Sequence, residues 1–194
     1  MTIKKGEDWG SQIVLPSEIP LCASDAEVAD AVRPFAVTAG DLFRCLGSPR
    51  PPVPHAQGRS LPVDALVVTI DGLVTPRLAV SSVEIGSWWS RHEYVCISNT
   101  GFVSERNLAP RSHPNDGRFE IVRLTASLRQ RVQIDRRSRT GAHLPHPGIS
   151  VTNGTQFSLI RTESWQRLRI DGRAVRQWNE LTVSIAPDHF TVLL

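Results

Sequence analysis

The chain has 194 residues, enough for one domain with a real core, or one domain with an appendage. Hydrophobic residues make up 40% and charged residues 21%, a globular rather than disordered balance. The net charge of +3 suits an anionic ligand, but a nucleic-acid footprint would need Lys and Arg clustered on one face, so nucleic acid is not an expected partner. No apolar run approaches bilayer length. The start, Met1 to Asp8, has two lysines without a following apolar stretch, so it does not read as a signal peptide. Cys22, Cys45 and Cys96 are odd in number and widely spaced, which fits a reducing cytoplasm and no metal module.

The first 47 residues predict a small α/β piece. Gln12–Leu15, Ile19–Cys22 and Phe35–Thr38 are short apolar runs suited to strands. Ser24-Asp-Ala-Glu27 is a capping-box pattern that opens a helix expected to run to Arg33 and stop before Pro34. Gly40-Asp41 begins a second short helix over Leu42–Leu46, with Gly47 placed to end it. Residues 48–60 hold four prolines, which exclude helix and central strand and predict an exposed linker.

From residue 61 to 194 strand signals dominate: Leu61–Ile70, Arg77–Ile85, Tyr94–Ile97, Phe119–Leu124, Ile149–Thr152, Gln156–Ile160, Arg167–Ile170, Leu181–Ile185 and Phe190–Leu194. Asp71-Gly72 marks a turn between the first two. Ser127–Ser138 breaks the pattern with Leu128, Val132 and Ile134 at helical spacing among arginines. The expected fold is mainly β, a sandwich preceded by the small α/β piece.

Polar chemistry concentrates in two proline-stiffened segments. Leu108–Gly117 carries Arg111, His113, Asn115 and Asp116, far more than a plain turn needs. Arg136–Pro147 carries Arg139, Thr140, His143 and His146, a set able to hold phosphate, or to cap a helix end as a solvated charge run. Asp171-Gly172 at a strand end reads as a hairpin turn, and Trp88-Trp89 as core or an exposed apolar rim. No Gly-x-Ser-x-Gly elbow or His/Cys metal spacing is present.

The order Asn99-Thr-Gly, Ala109-Pro, Asn115-Asp-Gly-Arg-Phe and Ile170-Asp-Gly resembles the C-terminal β-domain of the diacylglycerol kinase-like lipid kinases. The resemblance implies that Asp171 is the base toward the acceptor hydroxyl, that Asp41 is the nucleotide-side acid, and that Asn115-Asp116 stands where the family holds a structural Mg2+. It also relates Ala39-Gly40-Asp41 to a Gly-Gly-Asp-Gly-Thr nucleotide loop. Here Leu42 and Phe43 replace the small residues that let backbone approach phosphate, so conventional ATP binding is not expected. Arg173 replaces the family's Glu after Asp-Gly. Two expectations follow. One is a protein that binds an anionic lipid head group or phosphorylated small molecule through Arg111, His113, Arg139, Thr140, His143 and His146, the two segments converging on a shared polar surface near Asp171, without efficient phosphoryl transfer. The other is an active lipid kinase whose nucleotide site is atypical or completed by a second chain, as a homo-oligomer or by a separate nucleotide-domain partner.

Overall fold

Leu61, Val63 and Ala65 face one core, whereas Leu66, Val68 and Ile70, further along the same strand, face another. Alternation along a strand puts every second residue on one face, so the change from odd to even positions means this strand serves two layers. In the computed structural model, which describes residues 8–71, 73–162 and 167–194, it is the longest of the early strands. The elements are β1 (Ser11–Val14), β2 (Leu21–Cys22), α1 (Asp25–Ala29), β3 (Ala36–Val37), α2 (Asp41–Cys45), β4 (Gln57–Ile70), β5 (Arg77–Ala79), β6 (Ser82–Ile85), β7 (Tyr94–Ser98), β8 (Phe102–Val103), β9 (Arg106–Asn107), β10 (Phe119–Leu124), α3 (Leu128–Ser138), β11 (Ile149–Gly154), β12 (Gln156–Ile160), β13 (Leu168–Ile170), β14 (Arg173–Val175) and β15 (Glu180–Leu193).

Two antiparallel sheets dominate. The first runs β1-β4-β15-β12, with β5 also paired to β4; the second runs β11-β10-β7-β6-β13-β14. Leu66, Val68 and Ile70 meet Val95, Ile97 and Phe119 of the second sheet in the central core, joined by Trp178. The opposite faces of Val95 and Ile97's neighbours, Tyr94 and Cys96, look into a third cluster with Val122, Leu124 and Ile134 of α3. The protein is thus a β-sandwich with helices on its flanks, as the sequence pattern led us to expect.

α3 starts at the N-cap Ser127, whose hydroxyl accepts from Gln130 N, while the Gln130 side chain accepts from Ser127 N: a complete capping box. α1 has its cap at Ser24 but ends at Ala29, short of the expected Arg33. α2 closes with Ser48 N donating to Phe43 O and Gly47 N to Arg44 O, a Schellman end.

Arg77–Ile85, expected as one strand, splits into β5 of the first sheet and β6 of the second, and two further boundaries differ from the sequence expectation. The linker over 48–60 gives way at Gln57, where β4 already pairs with β1, Val14 opposite Gln57 through Ser11 opposite Ser60. The α/β piece is therefore built onto the sandwich: β1 is a strand of the first sheet and Phe35 bridges to Val192. Its Val28, Phe35 and Leu42 share a core with Val63, Phe190 and Val192. Second, Leu181–Ile185 and Phe190–Leu194 form one strand, β15, interrupted by a bulge between Ala186 and Phe190 rather than by a loop. The expected turn at Asp71 involves Gly72, which lies outside the described residues, as do residues 1–7. No described helix is long and apolar enough to cross a membrane.

Candidate functional site

The start of α2 is an anion cradle, and the protein fills it with its own carboxylate. Asp25 Oδ2 accepts from Asp41 N at 2.7 Å and Oδ1 from Leu42 N at 3.0 Å. Gly40 is required for this approach. Its φ is +101°, and a Cβ there would stand 2.6 Å from Asp25 Oδ1. Burial raises the Asp25 pKa, against the two N–H donors, which favour the anion. Asp41, the expected nucleotide-side acid, is buried and engaged by other groups: Oδ1 takes Arg44 Nη1 at 3.0 Å and Oδ2 takes Ser104 N at 2.9 Å.

Asp171 sits in the two-residue turn between β13 and β14. Asp171 and Gly172 have φ of 45° and 76°, the left-handed pair that a type I′ hairpin needs. Its side chain reaches across to the β5–β6 junction. Oδ2 accepts from Val80 N at 2.8 Å, and Oδ1 from Ser81 N at 3.0 Å and Ser82 N at 2.9 Å. A carboxylate offers about four lone-pair directions, so about one remains beyond these three bonds. Burial pushes this carboxyl up to about 7, opposed by the three backbone donors. Arg173, the charge reversal beside it, pairs through Nη1 with Asp30 at 2.8 Å.

The Asn-Asp-Gly turn folds around Asp64, a fully buried carboxylate. Asp64 Oδ1 accepts from Asn115 Nδ2 at 3.1 Å and Asp188 N at 2.9 Å, and Oδ2 accepts from Gly117 N at 2.8 Å. Asn115 Nδ2 also donates to Asp188 Oδ1 at 2.8 Å. The resemblance places magnesium near here, and the donor set does not suit it. An amide NH2, itself a donor, already takes one oxygen each of Asp64 and Asp188. Asp116 turns to Arg118 N at 3.0 Å, and no group of three or more acidic, His or Cys residues among those described could hold a metal. His113 closes the turn, with Nδ1 accepting from Asn115 N at 3.2 Å and its ring edge-on to Trp9 at 4.6 Å. Burial lowers the His113 pKa.

The two proline segments do meet. A Cβ on Gly141 would lie 3.0 Å from Pro110 Cγ, and His143 Nε2 bonds Leu108 O at 3.1 Å. Beside this junction opens a groove of about 1050 Å³, lined by Arg111, Glu120 and His146 and by apolar Leu144, Pro145 and Ile149, among others. His146 Nδ1 accepts from Gly148 N at 3.0 Å, which leaves Nε2 to carry the proton and donate. Among the other residues expected here, His143 is buried within the loop junction, Arg139 is exposed and 3.9 Å from Asp135, and Thr140 donates to Arg137 O. His113 belongs to the Asp64 cluster instead. The groove is also distant from Asp171. Register puts Ser82, Ser98, Glu120 and Asn153 in one row across the sheet. At about 4.8 Å per strand, Glu120 lies roughly 10 Å from Ser82, with Asp171 one step further.

Three residues that organise this region escaped the sequence reading. Asp25 fell within the capping-box pattern, and Asp64 within the strand run Leu61–Ile70. An acid inside an otherwise apolar run, Leu61–Val68, is the signal that would have flagged Asp64. Arg131 is fully buried and donates to the carbonyls of Ala126, Ser87, Trp88, His92 and Leu124. It looked like one charge among several on α3.

No family model and no curated protein matches the sequence. Solved structures do match. Two chains described as a "putative diacylglycerol kinase" from Bacillus anthracis str. Sterne superpose at TM-scores of 0.57 and 0.56, with 14% and 12% identity. They cover 87% and 85% of this chain and 71% of each of theirs. A diacylglycerol kinase structure from the same organism gives 0.53 at 13% identity over 85% of this chain and 69% of that one. The chain shares their fold. At this identity the likeness speaks for the diacylglycerol kinase-like architecture, and what the site does must come from its own residues.

Proposed function

We propose that the protein binds an anionic amphipathic molecule, a lipid phosphate or a phosphorylated small molecule, in the groove between the two proline segments, without efficient phosphoryl transfer. The observation that carries this reading is the pairing of Arg111 and the free Nε2 of His146 with an apolar wall of Leu144, Pro145 and Ile149. A guanidinium and an imidazole N–H suit phosphate oxygens, and the wall suits an acyl or isoprenoid chain. The Asp25 carboxylate at the α2 amides supports the absence of transfer, since phosphate positioning is most of what catalyses that chemistry. Titration calorimetry with a short-chain phosphatidic acid below its micellar concentration tests it. Binding weakened at least tenfold by Arg111→Ala is expected. Equal binding of the uncharged diacylglycerol would overturn it.

One observation favours the alternative, an active lipid kinase. A carboxyl raised to about 7 suits a general base, and Asp171 keeps a free lone pair. A nucleotide site would then be completed by a second chain. ATP turnover with diacylglycerol, abolished in Asp171→Asn, would establish that reading in place of ours.

A further inference from the structure

One surface plays no part in the groove. Trp88 is buried, whereas its neighbour Trp89 is 51% exposed, and α3 exposes Leu128 at 41% and Val132 at 43%. Large apolar residues scattered singly need no explanation, but the loop and helix that carry these three are tied together. Arg131 of α3 binds the carbonyls of Ser87, Trp88 and His92, fixing the tryptophan loop to the helix. On the outer side, the Arg106 guanidinium lies 4.6 Å over the Trp88 ring and pairs with Asp135 at 2.6 Å. Asp135 shares one flank of α3 with Leu128 and Val132, at i, i+4 and i+7. Trp89 stands edge-on to Trp88 at 6.4 Å, on the loop that Arg131 ties to α3.

The unpaired charges here are all positive. Arg91, Arg129, Arg136 and Arg137 have no ion-pair partner among the described residues, and the flank's acid, Asp135, is already paired. We propose that α3 and the Trp88–Trp89 loop form a docking surface for an anionic lipid bilayer. Trp89, Leu128 and Val132 enter the headgroup boundary while the unpaired arginines meet lipid phosphates. A short helix with an apolar flank beside a basic face, next to an interfacial tryptophan, is suited to lying in that plane. The fixed charges gain most where the surface potential is negative.

The proposal goes beyond the groove reading and fails separately, because the groove test uses a dispersed ligand and this one uses vesicles. Sedimentation would be compared for vesicles of phosphatidylcholine alone and with roughly a quarter phosphatidylglycerol. The full chain is expected to sediment with the anionic vesicles only, and to be released by salt. Trp89→Ser should lower the bound fraction about fivefold or more, and Arg129→Glu with Arg136→Glu at least as much. All three positions are exposed, so urea midpoints should be unchanged. Three results would overturn the proposal: no sedimentation of the wild-type chain, binding indifferent to both variants, or a dimer by velocity sedimentation that Trp89→Ser dissolves while vesicles remain unbound.

Discussion

The Asp64 carboxylate accepts the backbone N–H of Asp188 at 2.9 Å, across two strands that both change face at this point. On β4 the core-facing positions pass from odd to even around Asp64, and on β15 the bulge after Ala186 makes the matching change. Asp188 itself has a φ of 54°. A bulge leaves an N–H off the ladder, and Asp64 supplies the acceptor for it, for Gly117 N and for the Asn115 amide.

Removing that carboxylate strips the Gly117 and Asp188 N–H groups of their acceptor and leaves the Asn115 amide with Asp188 Oδ1 alone. Asp64→Ala is expected to lower stability by about 3–5 kcal/mol, read from urea unfolding with the slope unchanged. Asp64→Asn should cost less, because one oxygen can still accept.

The cradle at α2 makes a second demand. Gly40→Ala should destabilise by roughly 2 kcal/mol or more, because its φ of +101° is foreign to alanine and its Cβ would press on Asp25. Thermal melts would measure it. A neutral substitution would mean that Asp25 can withdraw at little cost, leaving the α2 amides open.

Arg131 supplies a third. It ties three carbonyls of the 87–92 loop to those of Leu124 and Ala126, with no acidic partner among the described residues, so its planar fork matters as much as its charge. Arg131→Met should cost about 3–5 kcal/mol, and Arg131→Lys should recover little of it, since an ammonium cannot span those acceptors. Native-state hydrogen exchange should show residues 87–92 losing protection first.

These residues also mark what the sequence made legible. The strands, α3 with its Ser127 cap and the Schellman end of α2 are local patterns, written in periodicity and in capping residues a few positions apart. The roles of Asp25, Asp64 and Arg131 depend on partners up to 124 residues away, as in Asp64 with Asp188. No spacing rule reports such pairs. The same limit explains the site. The two proline segments were visible as polar clusters, but only the packing of Gly141 on Pro110 decides that Arg111 and His146 share a groove. Likewise only the burial of His143 removes it from that groove.

Asp171 carries the last prediction, because two forces on it oppose each other. Burial raises its carboxyl to about 7 from an ordinary 3.8, while three backbone N–H groups favour the anion. With the folded pKa above the unfolded one, the folded chain holds a proton between about pH 4 and 7 that the unfolded chain has released. Stability from this group is therefore greatest on the acid side of the window and falls as pH rises through 7, then levels off. Asp25, Asp64, Asp116 and Glu120 are also raised by burial and slope the same way. The informative quantity is thus the difference in unfolding free energy between wild type and Asp171→Asn across that range. It should narrow steadily from pH 4 to pH 7. Carbon-detected titration of the Asp171 carboxyl should find its midpoint near 7; a carboxyl still ionised below pH 4 would show that the three N–H donors prevail, and would remove the best argument for Asp171 as a base.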